Sequence, residues 1–352
     1  MAVNKNYHDQ VNIDNAVKLR EITKKLPKFC AEFFRGIEPT TSSRTRIAYG
    51  YDLTIFFGYL KEYNPNYKNT KIQDMKIDIL DSINVSDIEE YLDYLKYYIT
   101  DDGKEHTNNE RGIMRKLASL RSFYNYFYRK EQIKTNPASI VKMPKLHEKE
   151  IIRLDVDEVS NLLDEVESGD KLTKSQQKYH DKTKVRDVAM FTLLLGTGIR
   201  VSECVGIDMD DVDLKNCGIK IRRKGGYETV VYFGDEVEAA LKEYLEERKK
   251  IIPCEGHEDA LFLSMQKKRI NVRSVENLVK KYSKLVTQLK NITPHKLRST
   301  YGTSLYRETG DIYLVADVLG HKDVNTTKKH YAALEDERRR KARNAVKLRE
   351  ND

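Results

Sequence analysis

The sequence predicts a mainly α-helical protein of two domains, the second a mixed α+β unit with a small β-hairpin. Three observations lead there. At 352 residues the chain is long enough for two domains of ordinary size, each burying its own core. Helical periodicity dominates its first part. In the second part, "GIKIRRKGGYETVVYF" switches to a period of two around a Gly-Gly turn.

Taken in order, Thr40 to Ser43 supply an N-cap region for the helix "RTRIAYGYDLTIFFGYL", and Ser86 caps "DIEEYLDYLKYYI". A third helix, "ERGIMRKLASLRSFYNYFYRKE", puts Ile113, Leu117, Leu120, Tyr124 and Phe127 on one apolar stripe. Arg111, Arg115, Ser119 and Ser122 form a second stripe, compatible with phosphate contact and equally with a solvated basic face. Character then changes at "NPASIVKMPKLHEKE", where Pro137 and Pro144 disfavour helix before them and the charged end offers little to a core. The expected division is a helical domain over 1–136, a linker over 137–150, a second domain over 151–334 and a charged tail over 335–352.

The second domain opens with an insert, "LTKSQQKYHDKTKVRD", and then "VRDVAMFTLLLGTGIRVSECVGI". This begins as a strongly apolar helix, breaks at Gly196 and Gly198, and restarts with Ser202 as its cap. Arg200 sits at the junction. A guanidinium directly after an apolar run is costly to bury without an anionic partner, and Glu203 is near enough to orient it. In the hairpin, Ile219 and Ile221 alternate with Lys220 and Arg222, and Lys224 stands at the tip beside Gly225-Gly226. Further on, "ITPHKLRSTYGTSL" starts a helix at Pro294 with His295 and Arg298 on one face. Last comes "LGHKDVNTTKKHYAAL", with His321, His330 and Tyr331 among lysines.

Composition narrows the classes. Lys plus Arg number 63 against 55 Asp plus Glu, a formal charge of +8, with a pI near 9.0. That balance suits a polyanion binder and also many basic proteins without such a partner. Cys30, Cys204, Cys217 and Cys254 are far apart and form no CxxC pair, so neither a disulfide framework nor a zinc site is expected, and a reducing cytoplasm fits best. No signal-type apolar run opens the chain and no window of ~18 apolar residues exists, so neither secretion nor membrane insertion is expected.

An arginine after a Gly-rich helix break, a lysine at a β-turn, HxxR after a proline, GH some twenty residues later and a tyrosine ten beyond it: in order and spacing these resemble the tyrosine recombinase (phage integrase) family. The resemblance covers the second domain, and the first is similar to that family's core-binding domain. It implies a helical DNA-binding domain plus an α+β catalytic domain, closing as a C-shaped clamp on DNA. The implied catalytic residues are Arg200, Lys224, His295, Arg298, His321 and Tyr331, with Glu203 in support. Arg44, Arg46, Arg111, Arg115, Ser119, Ser122, Arg222 and Arg223 are the expected DNA contacts.

By this resemblance Tyr331 attacks phosphorus and holds the 3′-phosphate, Arg200 and Arg298 meet the non-bridging oxygens, and His321 donates to one of them. His295 serves as base or proton shuttle and Lys224 protonates the leaving 5′-oxygen. Two arginines and a lysine stand where a metal's charge would otherwise be needed, so no metal, cofactor or ATP is expected. Two departures from the family pattern are visible: Ser299 follows the second arginine where histidine is common, and ten residues separate His321 from Tyr331 where many relatives have nine.

Within the family, the hairpin "RRKGGYE", the run "ITPHKLRST" and the insert most resemble the stand-alone Xer recombinases of XerS type. That implies a bacterial, nucleoid-associated enzyme acting on an inverted-repeat site to resolve chromosome dimers. It also implies a homotetramer on two duplexes joined through the tail, and a septal DNA translocase as a partner. The competing readings are an integrase of a phage, plasmid or conjugative transposon, a non-catalytic DNA-binding regulator, and a type IB topoisomerase.

Overall fold

The computed structural model describes residues 7–100, 103–146, 152–223, 225–321, 323 and 324. Lys224, His330, Tyr331 and the tail at 335–352 lie outside them. The chain divides into two compact units, Met1–Lys149 and Glu150–Asp352.

The first unit contains α1 (Tyr7–Thr23), α2 (Cys30–Gly36), α3 (Ser43–Tyr63), α4 (Val85–Tyr94), β1 (Tyr97–Ile99), β2 (Glu105–Thr107), α5 (Glu110–Arg129) and α6 (Pro137–Ile140). Helix α3 starts where its sequence says it should: the Ser42 hydroxyl accepts from the Thr45 N–H at 3.2 Å. The α4 cap is Asn84 rather than Ser86, because Asn84 and Asp87 exchange side-chain and backbone hydrogen bonds in a reciprocal box. That helix also stops at Tyr94; the "YYI" expected to continue it pairs with Glu105–Thr107 as an antiparallel β-ribbon. Its aromatic, β-branched composition favours strand once a partner lies alongside.

All five residues of the expected α5 stripe are buried. Phe123 and Phe127 pack edge-on against one another, with Phe123 against Phe33 and Phe57 and Phe127 against Phe29, at the centre of the core. Residues 137–143 are not linker. Pro137 opens α6 at its first turn, Ala138 and Val141 are buried in this core, and Met143 packs against it. Arg121 holds the segment by donating to the Ala138 and Val141 carbonyls.

In the second unit α7 (Val156–Ser168), α8 (Lys174–His180), α9 (Lys184–Thr197) and α10 (Val201–Cys204) precede a three-stranded antiparallel sheet in the order β3 (Val212–Asp213), β4 (Gly218–Arg222), β5 (Glu228–Tyr232). There follow α11 (Asp235–Arg248), α12 (Val272–Val286), α13 (Pro294–Thr309) and α14 (Ile312–Leu319). Helix α9 is apolar all round because it is the central element: Ala189, Met190, Phe191, Leu193 and Leu194 are buried, and α7, α11 and α13 pack around it. Its one buried carboxylate, Asp187, accepts from Arg186, Thr183 and Tyr282, so the charge is paired where it is desolvated.

Gly196 stays inside α9; the helix stops at Gly198, which has φ +63°. Arg200 rather than Ser202 occupies the N-cap of α10, since Ser202 is already within its turn. The hairpin register pairs Ile219 with Val231 and Ile221 with Thr229, which sends both isoleucines inward.

Candidate active site

Helix α9 ends on the left-handed Gly198 and α10 starts at Val201, and this short connection sets the first candidate residue. The Arg200 N–H donates to Glu203 Oε2 at 2.7 Å while its Nη1 donates to Oε1 of the same carboxylate at 2.8 Å. Glu203 is buried, so this fixed acceptor leaves the arginine little rotamer freedom. From the other edge of the guanidinium, Nη2 reaches the Gly320 carbonyl at 3.3 Å.

Arg298 lies on the second turn of α13 and is 5% exposed. Its Nη1 donates to the Gly198 carbonyl at 2.7 Å and its Nη2 to the Leu319 carbonyl. His295 is one turn back on the same helix and exposed, with Ser299 donating to its carbonyl at 3.0 Å.

Both arginines thus reach the end of α14. That helix closes in a Schellman motif: Gly320 has φ +62°, its N–H meets the Asp317 carbonyl, and the His321 N–H meets that of Ala316 at 2.9 Å. His321 is therefore held directly after the point where Arg200 and Arg298 converge. The structure assembles Arg200, Glu203, Arg298 and His321 from elements far apart in sequence, with His295 one turn from Arg298.

Close backbone approach makes this possible. A Cβ on Gly198 would lie 2.4 Å from Tyr301 Cδ1 and 3.0 Å from Leu319 Cδ2, so glycine at the α9 terminus lets α13 and α14 close on it. Tyr301, not singled out in the sequence, lies one turn beyond Arg298 in α13; that spacing was the signal available for it. With His321 and Gly320 it lines a cavity of about 480 Å³ that also includes Arg223, Tyr227 and Tyr232. Burial pushes the Tyr301 phenol up, which makes it a poor nucleophile.

The expected DNA contacts divide. Arg44 and Arg111 are exposed at the starts of α3 and α5, and Ser122 is half-buried on the Arg111 face. Arg46 is turned inward, its Nη1 donating to the Glu38 and Thr41 carbonyls and its Nη2 pairing with the Glu38 carboxylate at 3.2 Å. Arg115, half-exposed, holds the buried Asp52 with two hydrogen bonds of 2.5 and 2.6 Å.

Ser119 cannot face phosphate, because it is fully buried. At 3.6 residues per turn it stands roughly 80° round the helix from Arg111, beside the apolar stripe, whereas Ser122 stands only about 20° away. In the hairpin, Arg222 donates to the Gly226 carbonyl at 3.3 Å. Arg223 is also corrected: it is 9% exposed and donates to the Asp317 and Val318 carbonyls instead of facing outward.

Residues 152–338 match the phage integrase family. Among curated relatives, the tyrosine recombinase XerC of Caldanaerobacter subterraneus subsp. tengcongensis is 34% identical over 333 residues, covering 91% of this chain and 87% of the relative. The tyrosine recombinase XerS of Streptococcus uberis is 30% identical over 359 residues, covering 92% and 96%. Among solved structures, the XerH site-specific recombinase in a post-cleavage complex with a palindromic difH substrate superposes with a TM-score of 0.61 at 19% identity, covering 84% of this chain and 78% of that one.

Proposed function

Because the chain belongs to the phage integrase family of tyrosine recombinases, as a site-specific DNA strand-transfer enzyme of Xer type, we propose the following assignment of roles to its residues. The Tyr331 phenol attacks a backbone phosphorus, its proton passing to His295. The bond from phosphorus to the 5′-oxygen breaks as that oxygen takes a proton from Lys224. Arg200, Arg298 and His321 donate to the non-bridging oxygens, where charge builds in the transition state. The 3′-phosphotyrosine keeps the energy of the broken bond, so a new 5′-hydroxyl can rejoin the strand by the reverse transesterification.

One observation carries this reading: Arg200 and Arg298, from different helices, converge on the α14 terminus directly before His321. Guanidiniums held by fixed carbonyls and a carboxylate are preorganised, so they need little reorganisation when charge develops. Bound duplex DNA, a tetramer on two duplexes and a septal translocase partner belong to the same proposal. So does chromosome-dimer resolution at an inverted-repeat site in the bacterial nucleoid, supported by the likeness to XerS over nearly the whole of both chains. None of the described helices is long and apolar enough to cross a membrane.

The test is covalent trapping. On a nicked duplex the protein should give a DNA adduct that survives a denaturing gel, while Tyr331→Phe binds the duplex and gives none. An adduct formed by Tyr331→Phe would show that the nucleophile is misassigned. Sequencing DNA held covalently in cells separates a chromosomal site from the ends of a mobile element, and supercoil relaxation without two-site recombination would indicate a topoisomerase.

A further inference from the structure

Arg223 is bound to two parts of the second unit at once. Through its backbone it closes the β4–β5 hairpin: its N–H donates to the Tyr227 carbonyl, and its own carbonyl accepts from Gly226, both at 3.0 Å. Through its side chain it grips the end of α14, with Nη2 2.8 Å from the Val318 carbonyl and Nη1 3.4 Å from that of Asp317. The fit is tight, since a Cβ on Gly320 would lie 1.3 Å from Nη1. A cation suits this place because the last carbonyls of a helix lack intrahelical partners and carry the negative end of its dipole.

Together with Arg200 and Arg298 it completes a sequence of contacts. Arg223 takes the carbonyls of residues 317 and 318, Arg298 that of 319 and Arg200 that of 320. The next residue along the helix terminus is His321, and the next residue along the hairpin is Lys224.

We propose that Arg223 is a positioning residue for strand cleavage, fastening the hairpin to the α14 terminus so that Lys224 is delivered to the phosphate held by Arg200, Arg298 and His321. The proposal rests on the reading of Lys224 as general acid. A lysine side chain is long and has many rotamers, so a fixed point one residue before it restricts where its ammonium can go.

The experiment measures single-turnover cleavage of two nicked duplexes carrying the site recovered by covalent trapping, one with oxygen and one with sulfur at the bridging 5′ position. Sulfur leaves as a thiolate without a proton donor, so it bypasses Lys224 only. Arg223→Ala should cleave the oxygen substrate at least roughly tenfold slower than the parent enzyme and recover on the sulfur substrate, as Lys224→Ala should. The double variant should be no slower on oxygen than Lys224→Ala alone. Arg223→Lys, which keeps one donor to the carbonyls, should restore part of the oxygen rate and serves for the same comparison if Arg223→Ala does not fold.

Recovery of Lys224→Ala without recovery of Arg223→Ala would overturn the positioning role and leave the general acid intact. Failure of both to recover would overturn the Lys224 reading itself. Parent-like rates for Arg223→Ala on both substrates would show that the hairpin needs no such anchor.

Discussion

Arg298 Nη1 lies 2.7 Å from the carbonyl of Gly198, a hundred residues away in sequence, and its Nη2 donates to the carbonyl of Leu319. One guanidinium therefore ties the ends of α9 and α14 together and remains beside the proposed phosphate position. Structural and chemical roles coincide in it.

For Arg298→Ala we expect two losses. Stranding two carbonyl acceptors at a buried site should cost about 2 kcal/mol or more, seen as a lower Tm. Arg200→Ala should also be destabilising, by roughly 2–3 kcal/mol, because it leaves the buried Glu203 carboxylate without its cation, as at Arg115 and Asp52. Both variants should lose cleavage by roughly 10²–10³, the usual cost of removing one transition-state donor. An unchanged Tm for Arg298→Ala would contradict the clamping role given to Arg298.

On α5, neighbouring residues should behave differently. Arg111→Ala should leave Tm unchanged, weaken duplex binding and reduce the salt dependence by about one phosphate contact. Arg115→Ala should lower stability by roughly 2–3 kcal/mol by leaving Asp52 buried without its cation, less than for a fully buried pair because Arg115 is half-exposed. Ser119→Ala should change neither binding nor stability appreciably, as its buried Oγ has no partner among the described residues. Filter binding against salt, beside thermal melts, separates these outcomes.

Gly320→Ala should be destabilising through its φ of +62° and through overlap with Arg223. Adding Arg223→Ala should remove the overlap but not the backbone strain. A double-mutant cycle should then show the pair less damaged than the sum of the single variants. Strict additivity would mean that the two residues do not press on one another in solution.

Cleavage should be indifferent to EDTA, because the proposed site meets phosphate charge with guanidinium, imidazole and ammonium donors. Activity abolished by chelation and restored by a divalent cation would require a different mechanism.

Much of the first unit was legible locally. The α5 stripe, like the alternation of Ile219 and Ile221 in the second unit, is a periodic pattern, and period reports which face is buried, while the start of α3 is marked by its serine cap. Boundaries were less legible. "YYI" continues the apolar spacing of α4 yet becomes β1 because a second strand supplies its hydrogen-bond partners. Pro137 to Met143 reads as a linker because no periodic pattern within it shows the core that receives Ala138 and Val141, which is assembled from α1 to α5.

By itself the sequence determined the residue types at this candidate site and their order, since an arginine beside a helix-breaking glycine, HxxR after a helix-starting proline and a glycine before His321 are all local signals. Which way the cations face was decided only by tertiary structure. Arg111 and Arg223 are both arginines in basic surroundings, yet one is exposed at the start of α5 and the other is buried against the end of α14. The physical reason is that a helix terminus offers carbonyl acceptors only once the fold has brought it within reach. Arg200, Arg223 and Arg298 find those acceptors 94 to 120 residues away, or 21 in the case of Leu319, separations that no local pattern encodes.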